Sequence, residues 1–314
     1  MPQRSISDLI QRYGDVLASF FNHLSDMIFL LKVEEGPRFR YVMMNPAAMR
    51  AASLTEEAYG KCIEDVYPEE MAAFLNNKYY KAVVSREPIT FIHSGEVVGE
   101  SILTPIFNEA GECTHVFSVT RDVTEQKKLE QQLEFMAYHD MLTGLPNRRL
   151  LMDRLQQAIS KAKRLEHSIA VLYLDCDHFK LINDTWGHDV GDEFLQILAK
   201  RLKSCVRDMD TVARIGGDEF VIVLTPIHSP EEVVRVAQRV LDSLQQPWQM
   251  KQQQFSLSTS IGISLFPFDG EDSSSLLKNA DRALYLAKAD GRSQYRFYSN
   301  ISTATSRNEA KQQE

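Results

Sequence analysis

The segment Arg214-Ile215-Gly216-Gly217-Asp218-Glu219-Phe220 sets two glycines against two acidic residues. Paired glycines at a hairpin tip allow positive φ and leave room for a bulky ligand against bare backbone. An ordinary turn reads the same way, because Gly-Asp pairs are common in turns. A second acidic group shifts the balance. Leu174-Asp175-Cys176-Asp177 closes an apolar run, and a side-chain period of two puts Asp175 and Asp177 on one face. Carboxylates at the end of a buried strand are costly unless paired, hydrated or cation-bound. If that strand neighbours the Gly-Gly hairpin, Asp175 and Asp218 can share a hard divalent ion. Magnesium suits such a place, since it takes a few carboxylate oxygens together with waters and substrate phosphates.

The elements that must position these groups alternate along the second half of the chain. A helix is expected over 147–164, a near-continuous apolar strand over Ile169 to Asp175, and a helix over Glu193 to Cys205. Strands are expected next over Val212 to Ile215 and Glu219 to Leu224, then a helix over Glu231 to Leu244. Phe255 to Leu265 reads as a strand and Ser274 to Lys288 as a final helix. This alternation implies an α/β sandwich built on one sheet. The first half differs. Short strands are expected over Met27 to Val33, Phe39 to Met44, Ile89 to His93, Val97 to Pro105 and His115 to Asp122, with a helical middle. The pattern implies one antiparallel sheet with helices on one side. Between the halves, DVTEQKKLEQQLEFM is polar and helix-forming, with Leu129, Leu133 and Met136 in an a/d-like stripe. It is either a dimer seam or an amphipathic connector docked on its own domain.

Taken together, these motifs resemble the diguanylate cyclases that carry the GGDEF signature. Beside Arg214 to Phe220, Asp175 to Asp184 matches the family's D-x-D-x-F-K-x-x-N-D segment, continuing through Gly187-His188-Asp189-Val190-Gly191-Asp192. The entry Asp140 to Arg149 and the exit Ala280 to Tyr285, through Gly291-Arg292, match as well. Cys176 departs from the aliphatic residue usual at its position. The resemblance, over about residues 136 to 298, implies a palm-like nucleotidyl-cyclase fold that condenses two GTP into cyclic di-GMP with release of two pyrophosphates. It also implies residue roles. Asp175, the Cys176 carbonyl, Asp218 and Glu219 would hold magnesium, or manganese in its place. Asp218 would activate the attacking hydroxyl, and Lys180 would stabilise phosphate charge. Lys288 and Arg292, at i and i+4 and so one helical turn apart, would grip the β- and γ-phosphates. Asn183 and Asp192 would choose the base, because a carboxylate accepts together from the N1–H and N2–H of guanine. By itself, Asp192 reads as a helix N-cap before Glu193. His188 would lie near the nucleotide, or else pack its loop. Arg207-Asp208-Met209-Asp210 is an R-x-x-D element, with Arg207 nine residues ahead of Gly216. It resembles the inhibitory product site of this family, Arg207 and Asp210 being its ligands.

The N-terminal half resembles, more loosely, a PAS sensor domain. Ser25 to Phe29, Val42 to Ala48 and the terminal Arg121-Asp122-Val123-Thr124 carry that likeness. Such folds often hold a small ligand in an apolar pocket, and whether this half does is open. His93 and His115 read more readily as strand histidines than as haem ligands, and Cys62 and Cys113 lie in no flavin-photochemistry motif. The expected organisation is an N-terminal segment (1–15), a PAS domain (16–124), a helical signalling linker (125–137), a cyclase domain (138–300) and a polar tail (301–314).

Composition sets outer bounds. The 314 residues suit two domains, and 44% hydrophobic with 25% charged residues is globular. A net charge of −8 argues against nucleic acid as partner. No apolar run is long enough to span a bilayer, and Asp8 and Asp15 interrupt any signal-peptide core. Four scattered cysteines form no C-x-x-C pair, which fits reduced thiols in a cytoplasmic protein. The leading expectation is a homodimeric, PAS-regulated enzyme without phosphodiesterase activity, because no further catalytic domain lies beyond residue 300. The alternatives are a catalytically inactive receptor for GTP or cyclic di-GMP and a PAS interaction protein with a scaffold half.

Overall fold

The computed structural model describes residues 6–36, 38–94, 97–250, 253–255 and 257–299. The polar tail expected over 301–314 lies outside them. The chain divides into two compact units between Gln131 and Gln132.

The first unit begins with helix α1 (Ile6–His23), which precedes strands β1 (Met27–Val33) and β2 (Phe39–Met44). Next come short helix α2 (Pro46–Ala51), helix α3 (Glu69–Ser85) and strands β3 (Ile89–Ser94), β4 (Val98–Phe107) and β5 (Cys113–Asp122). The sheet order is β2-β1-β5-β4-β3, antiparallel throughout. Leu31, Phe39, Ile63, Leu103 and Val116 fill its core. Asn45 opens α2: its Oδ1 accepts from the N–H groups of Ile28 and Ala48. At the far end Asp122 accepts from Thr124 N–H, and Thr124 Oγ1 accepts from Val98 N–H. His93 sits on the edge strand and His115 on β5, with β4 between them.

Helix α4 (Thr124–Tyr138) contains the division between the units and buries none of its residues. Leu129, Leu133 and Met136 are 57%, 65% and 50% exposed. The apolar stripe is therefore not docked on its own domain.

The second unit runs α5 (Arg148–Leu165), β6 (Ser168–Cys176), α6 (Phe179–Trp186), α7 (His188–Ser204), β7 (Thr211–Gly216) and β8 (Glu219–Ile227). Then come α8 (Pro230–Gln245), the small hairpin β9 (Trp248–Met250) and β10 (Gln253–Phe255), β11 (Thr259–Phe266), α9 (Ser273–Ala289) and β12 (Tyr295–Phe297). The main sheet is ordered β12-β11-β6-β8-β7, so β6 is central. Alternation along β6 explains the two-sided packing. Leu172 and Leu174 face a core shared with α7 and α8, whereas Ile169 and Val171 face one shared with α5 and α9. Each such fully buried side chain contributes about 1.5–3 kcal/mol over an exposed one. Gly262 lets α9 lie directly on β11, since a Cβ there would collide with the Ala280 carbonyl and the Leu284 backbone.

Two expected boundaries move. The strand expected over Phe255 to Leu265 is split, its first residue pairing in the β9–β10 hairpin. Helix α7 starts at His188, not Glu193, because Gly187 at φ +84 ends one helix and begins the next.

Candidate active site

β7 and β8 meet in a tight turn in which Gly216 pairs with Glu219 and Gly217-Asp218 form the tip. Gly217 sits at φ +49, a conformation that disfavours any side chain. Arg214 braces this tip from below. Its Nε donates to the Gly217 carbonyl at 2.9 Å, and its Nη1 donates to both Asp140 carboxylate oxygens at 3.0 Å. Asp140 also accepts from the Thr143 N–H and Oγ1–H. Burial pushes the Asp140 carboxyl up, but the Thr143 and Arg214 bonds outweigh it and hold it below the usual range. The entry loop thus clamps the hairpin.

The acidic residues converge by strand register. Asp175 is directly opposite Glu219 on β8 and Ser260 on β11. Lys288, from the last turn of α9, reaches Asp175 with an Nζ–Oδ1 distance of 2.7 Å. Asp218 is half-buried and its carboxyl is pushed up to about 6, first by desolvation, then by the negative charges of Asp175 and Glu219. Tyr173 donates its hydroxyl to Glu219 Oε2 at 3.2 Å, and burial with the Glu219 charge pushes its phenol up. Cys176 faces the opposite core, its thiol pushed far up by burial and the neighbouring acids.

This donor set fits a hard cation. Among the described residues no three acidic, histidine or cysteine side chains form a ready metal cage. Magnesium does not require one, since it is typically held by one or two carboxylates plus waters and phosphates. Burial first, and then the charges of Asp175 and Glu219, raise the Asp218 carboxyl, and a cation would offset the like-charge part.

The other expected groups lie on nearby elements. Lys180 is exposed in the first turn of α6, and His188 is exposed in the first turn of α7. Asn183 Oδ1 is buried without a hydrogen-bond partner. It occupies the space a Cβ on Gly191 would take, one residue before exposed Asp192 in α7. Asp192 is not an N-cap, because α7 begins four residues earlier.

Lys288 and Arg292 are not on one helical turn either. α9 ends at Ala289, and Gly291, Arg292 and Ser293 come after it at φ +112, +63 and +51. Arg207 and Asp210 stand at the opposite end of β7 from the glycines. There the Asp210 carboxylate accepts the N–H groups of Arg207 (3.0 Å) and Thr225 (3.2 Å), and the Arg207 side chain is exposed.

Three features of the site are not evident from the sequence: the Arg214–Asp140 clamp, the Tyr173–Glu219 bond and the Lys288–Asp175 pair. Tyr173 was findable, being two residues before Asp175 on the same strand face. Asp177 does share that face, yet it is bonded to hydroxyls of the β11 segment and joins no acid of the hairpin.

Comparison with known proteins places this geometry. Residues 137–294 match the family model "Diguanylate cyclase, GGDEF domain", and residues 21–128 match "PAS fold". The chain is 40% identical over 189 residues to the signaling protein YkoW of Bacillus subtilis, covering 60% of this chain and 24% of that one. It is 42% identical over 181 residues to the bifunctional diguanylate cyclase/cyclic di-GMP phosphodiesterase MucR of Pseudomonas aeruginosa, covering 58% and 26%. It therefore spans about a quarter of the length of these relatives. A structure of TpbB (YfiN) from Pseudomonas aeruginosa comprising only the GGDEF domain superposes with a TM-score of 0.51 at 38% identity, covering 53% of this chain and 99% of that one. No helix among the described residues is long and apolar enough to cross a membrane. The chain belongs to the GGDEF-domain diguanylate cyclase family and carries a PAS fold ahead of that domain.

Proposed function

We propose that this chain is an active, magnesium-dependent diguanylate cyclase that joins two GTP into cyclic di-GMP and releases two pyrophosphates. The observation that carries the reading is the intact Gly216-Gly217-Asp218-Glu219 turn seated beside Asp175 at the end of β6. Asp175, Asp218 and Glu219, with the Cys176 carbonyl, would hold magnesium. The bound ion would supply charge neutralisation for phosphates and relieve the repulsion among these carboxylates. Asp218, at the hairpin tip beside Asp175 and Glu219, is the base candidate for the 3′-hydroxyl. Lys180, Lys288 and Arg292 would balance the triphosphate, Lys288 being shared with Asp175. Asn183, packed against Gly191, and Asp192, the next residue of α7, would donate and accept at the guanine edge, with His188 in the first turn of the same helix. Adenine lacks the N1–H and N2–H pair, so Asp192 favours GTP over ATP.

Each 3′-hydroxyl must attack the α-phosphate of the other nucleotide, so two catalytic domains meet to make one product. The exposed stripe of Leu129, Leu133 and Met136 supports a parallel homodimer seam through which the PAS fold regulates the cyclase. Incubation with magnesium and either GTP or ATP tests the reading: pyrophosphate release from GTP alone is expected, and none from either would refute it. For the seam, a two-residue insertion after Gln131 turns the catalytic end of α4 by ~200°, and a seven-residue insertion restores the phase. Activity should be low in the first and recover in the second; equal activity would make α4 a passive tether.

A further inference from the structure

Asp177 is 2% exposed, and its carboxylate bonds to serines rather than to a group assigned to metal or nucleotide. Its Oδ1 accepts from Ser260 Oγ at 2.8 Å, and its Oδ2 accepts from Ser258 Oγ at 2.6 Å and from Ser293 N–H at 3.2 Å. Its own N–H donates to the Ser258 carbonyl at 3.0 Å. One carboxylate thereby ties three segments: the end of β6, the start of β11 and the turn between α9 and β12. That turn is where strain sits. Arg292 and Ser293 are consecutive residues with side chains, both in the left-handed region, at φ +63 and +51. Such a pair persists only where its surroundings fix it. Two backbone N–H groups are bonded here, Arg292 N–H to the Ala287 carbonyl and Ser293 N–H to the Asp177 carboxylate, and Ser293 Oγ also accepts from Gln245 Nε2 at 3.0 Å.

We propose that Asp177 is a positioning residue: by accepting the Ser293 N–H it holds the strained turn that presents the exposed Arg292 side chain to the polyphosphate of the substrate. This rests on the reading of Arg292 as a phosphate-binding group. The type of residue matters, because two anionic oxygens accept three donors here. An asparagine of the same shape offers one acceptor oxygen and a competing N–H₂.

The test is binding of an α,β-methylene GTP analogue with magnesium, compared with GMP, to the full chain. Asp177→Asn and Arg292→Ala should each weaken the analogue about tenfold, the size of a lost charge-assisted contact, while GMP stays within about twofold. The double variant should be no weaker than Arg292→Ala alone, because both changes act through one group. Loss in Arg292→Ala with wild-type affinity in Asp177→Asn would overturn the proposal and spare the phosphate reading. Equal weakening of both nucleotides by Asp177→Asn would reduce Asp177 to general support and also overturn it. Unchanged binding in Arg292→Ala would remove the phosphate reading itself, and the proposal with it. Should Asp177→Asn not fold, amide hydrogen exchange in the wild type decides. Protection at Ser293 is expected, and exchange at the rate of an open loop contradicts the proposal.

Discussion

The two ends of strand β7 carry aspartates in opposite conditions. At one end Asp210 has each carboxylate oxygen on a backbone N–H, which closes a turn. At the other end Asp218 is half-buried among the charges of Asp175 and Glu219, and its carboxyl rises to about 6. The first aspartate stabilises the fold it belongs to. The second is held in a place that costs stability, as residues kept for function often are. Acidity in a motif therefore does not mark a reactive carboxylate; its hydrogen-bond and charge surroundings do.

Substitution of Asp218 or Asp175 is expected to break the crowded end. Asp218→Ala and Asp175→Asn should each lower turnover of GTP by at least about a hundredfold, since each would take a carboxylate from the proposed magnesium site and leave phosphate charge uncompensated. Circular dichroism should show the fold intact, and wild-type turnover in either variant would overturn the assignment. Next comes the clamp beneath that end. Arg214→Ala leaves Asp140 without its guanidinium partner at a site where the two side chains are only 12% and 23% exposed. A loss of about 2–4 kcal/mol in denaturant unfolding is expected; no loss would mean the clamp is ornamental to the hairpin.

A smaller effect sharpens the contrast most. The folded-state Asp218 carboxyl lies near 6, above its ordinary value of 3.8. The folded state therefore keeps this proton while the unfolded chain loses it, and stability falls as pH rises from about 4 to about 6. Without nucleotide or metal, Asp218→Asn should gain on the order of 1 kcal/mol at pH 8, after discounting for solvent screening, and nothing near pH 4. Asp210→Asn should instead lose stability, because the amide offers only one acceptor to two N–H groups. Thermal unfolding that moves both variants the same way would erase the difference between the two ends. The smallest effect concerns Arg207: if it binds product, added cyclic di-GMP slows the wild type and Arg207→Ala accumulates about twofold more product, a modest gain of one lost contact. Matching progress curves would remove that role.

Much of the fold was legible in the residues. The apolar run of β6, the alternation of strands and helices, and the Gly-Gly hairpin all arise from local periodicity and turn chemistry, which act over a few positions. The antiparallel first unit was legible for the same reason. What escaped was set by tertiary contact. Whether Lys288 meets Asp175 depends on how closely α9 packs on β11, which Gly262 permits but does not announce. The break of α9 at Ala289 was also hidden. Lys288 to Arg292 fits an i,i+4 pattern, whereas the backbone turns left-handed at Arg292 and Ser293, held by tertiary bonds that include those to Asp177 and Ala287. The Asp192 position illustrates a competing signal, since a good capping residue sits inside a helix that Gly187 had already started.

On the proposed reading, the acidic cluster at the Gly-Gly hairpin performs a two-nucleotide condensation. The most direct measurement supplies the wild-type chain with GTP and magnesium, counts pyrophosphate and identifies the nucleotide product by mass. Two pyrophosphates per cyclic di-GMP are predicted, with none released from 3′-deoxy-GTP, which lacks the attacking hydroxyl. Pyrophosphate without a cyclic dinucleotide, or release from the 3′-deoxy substrate, would contradict the account.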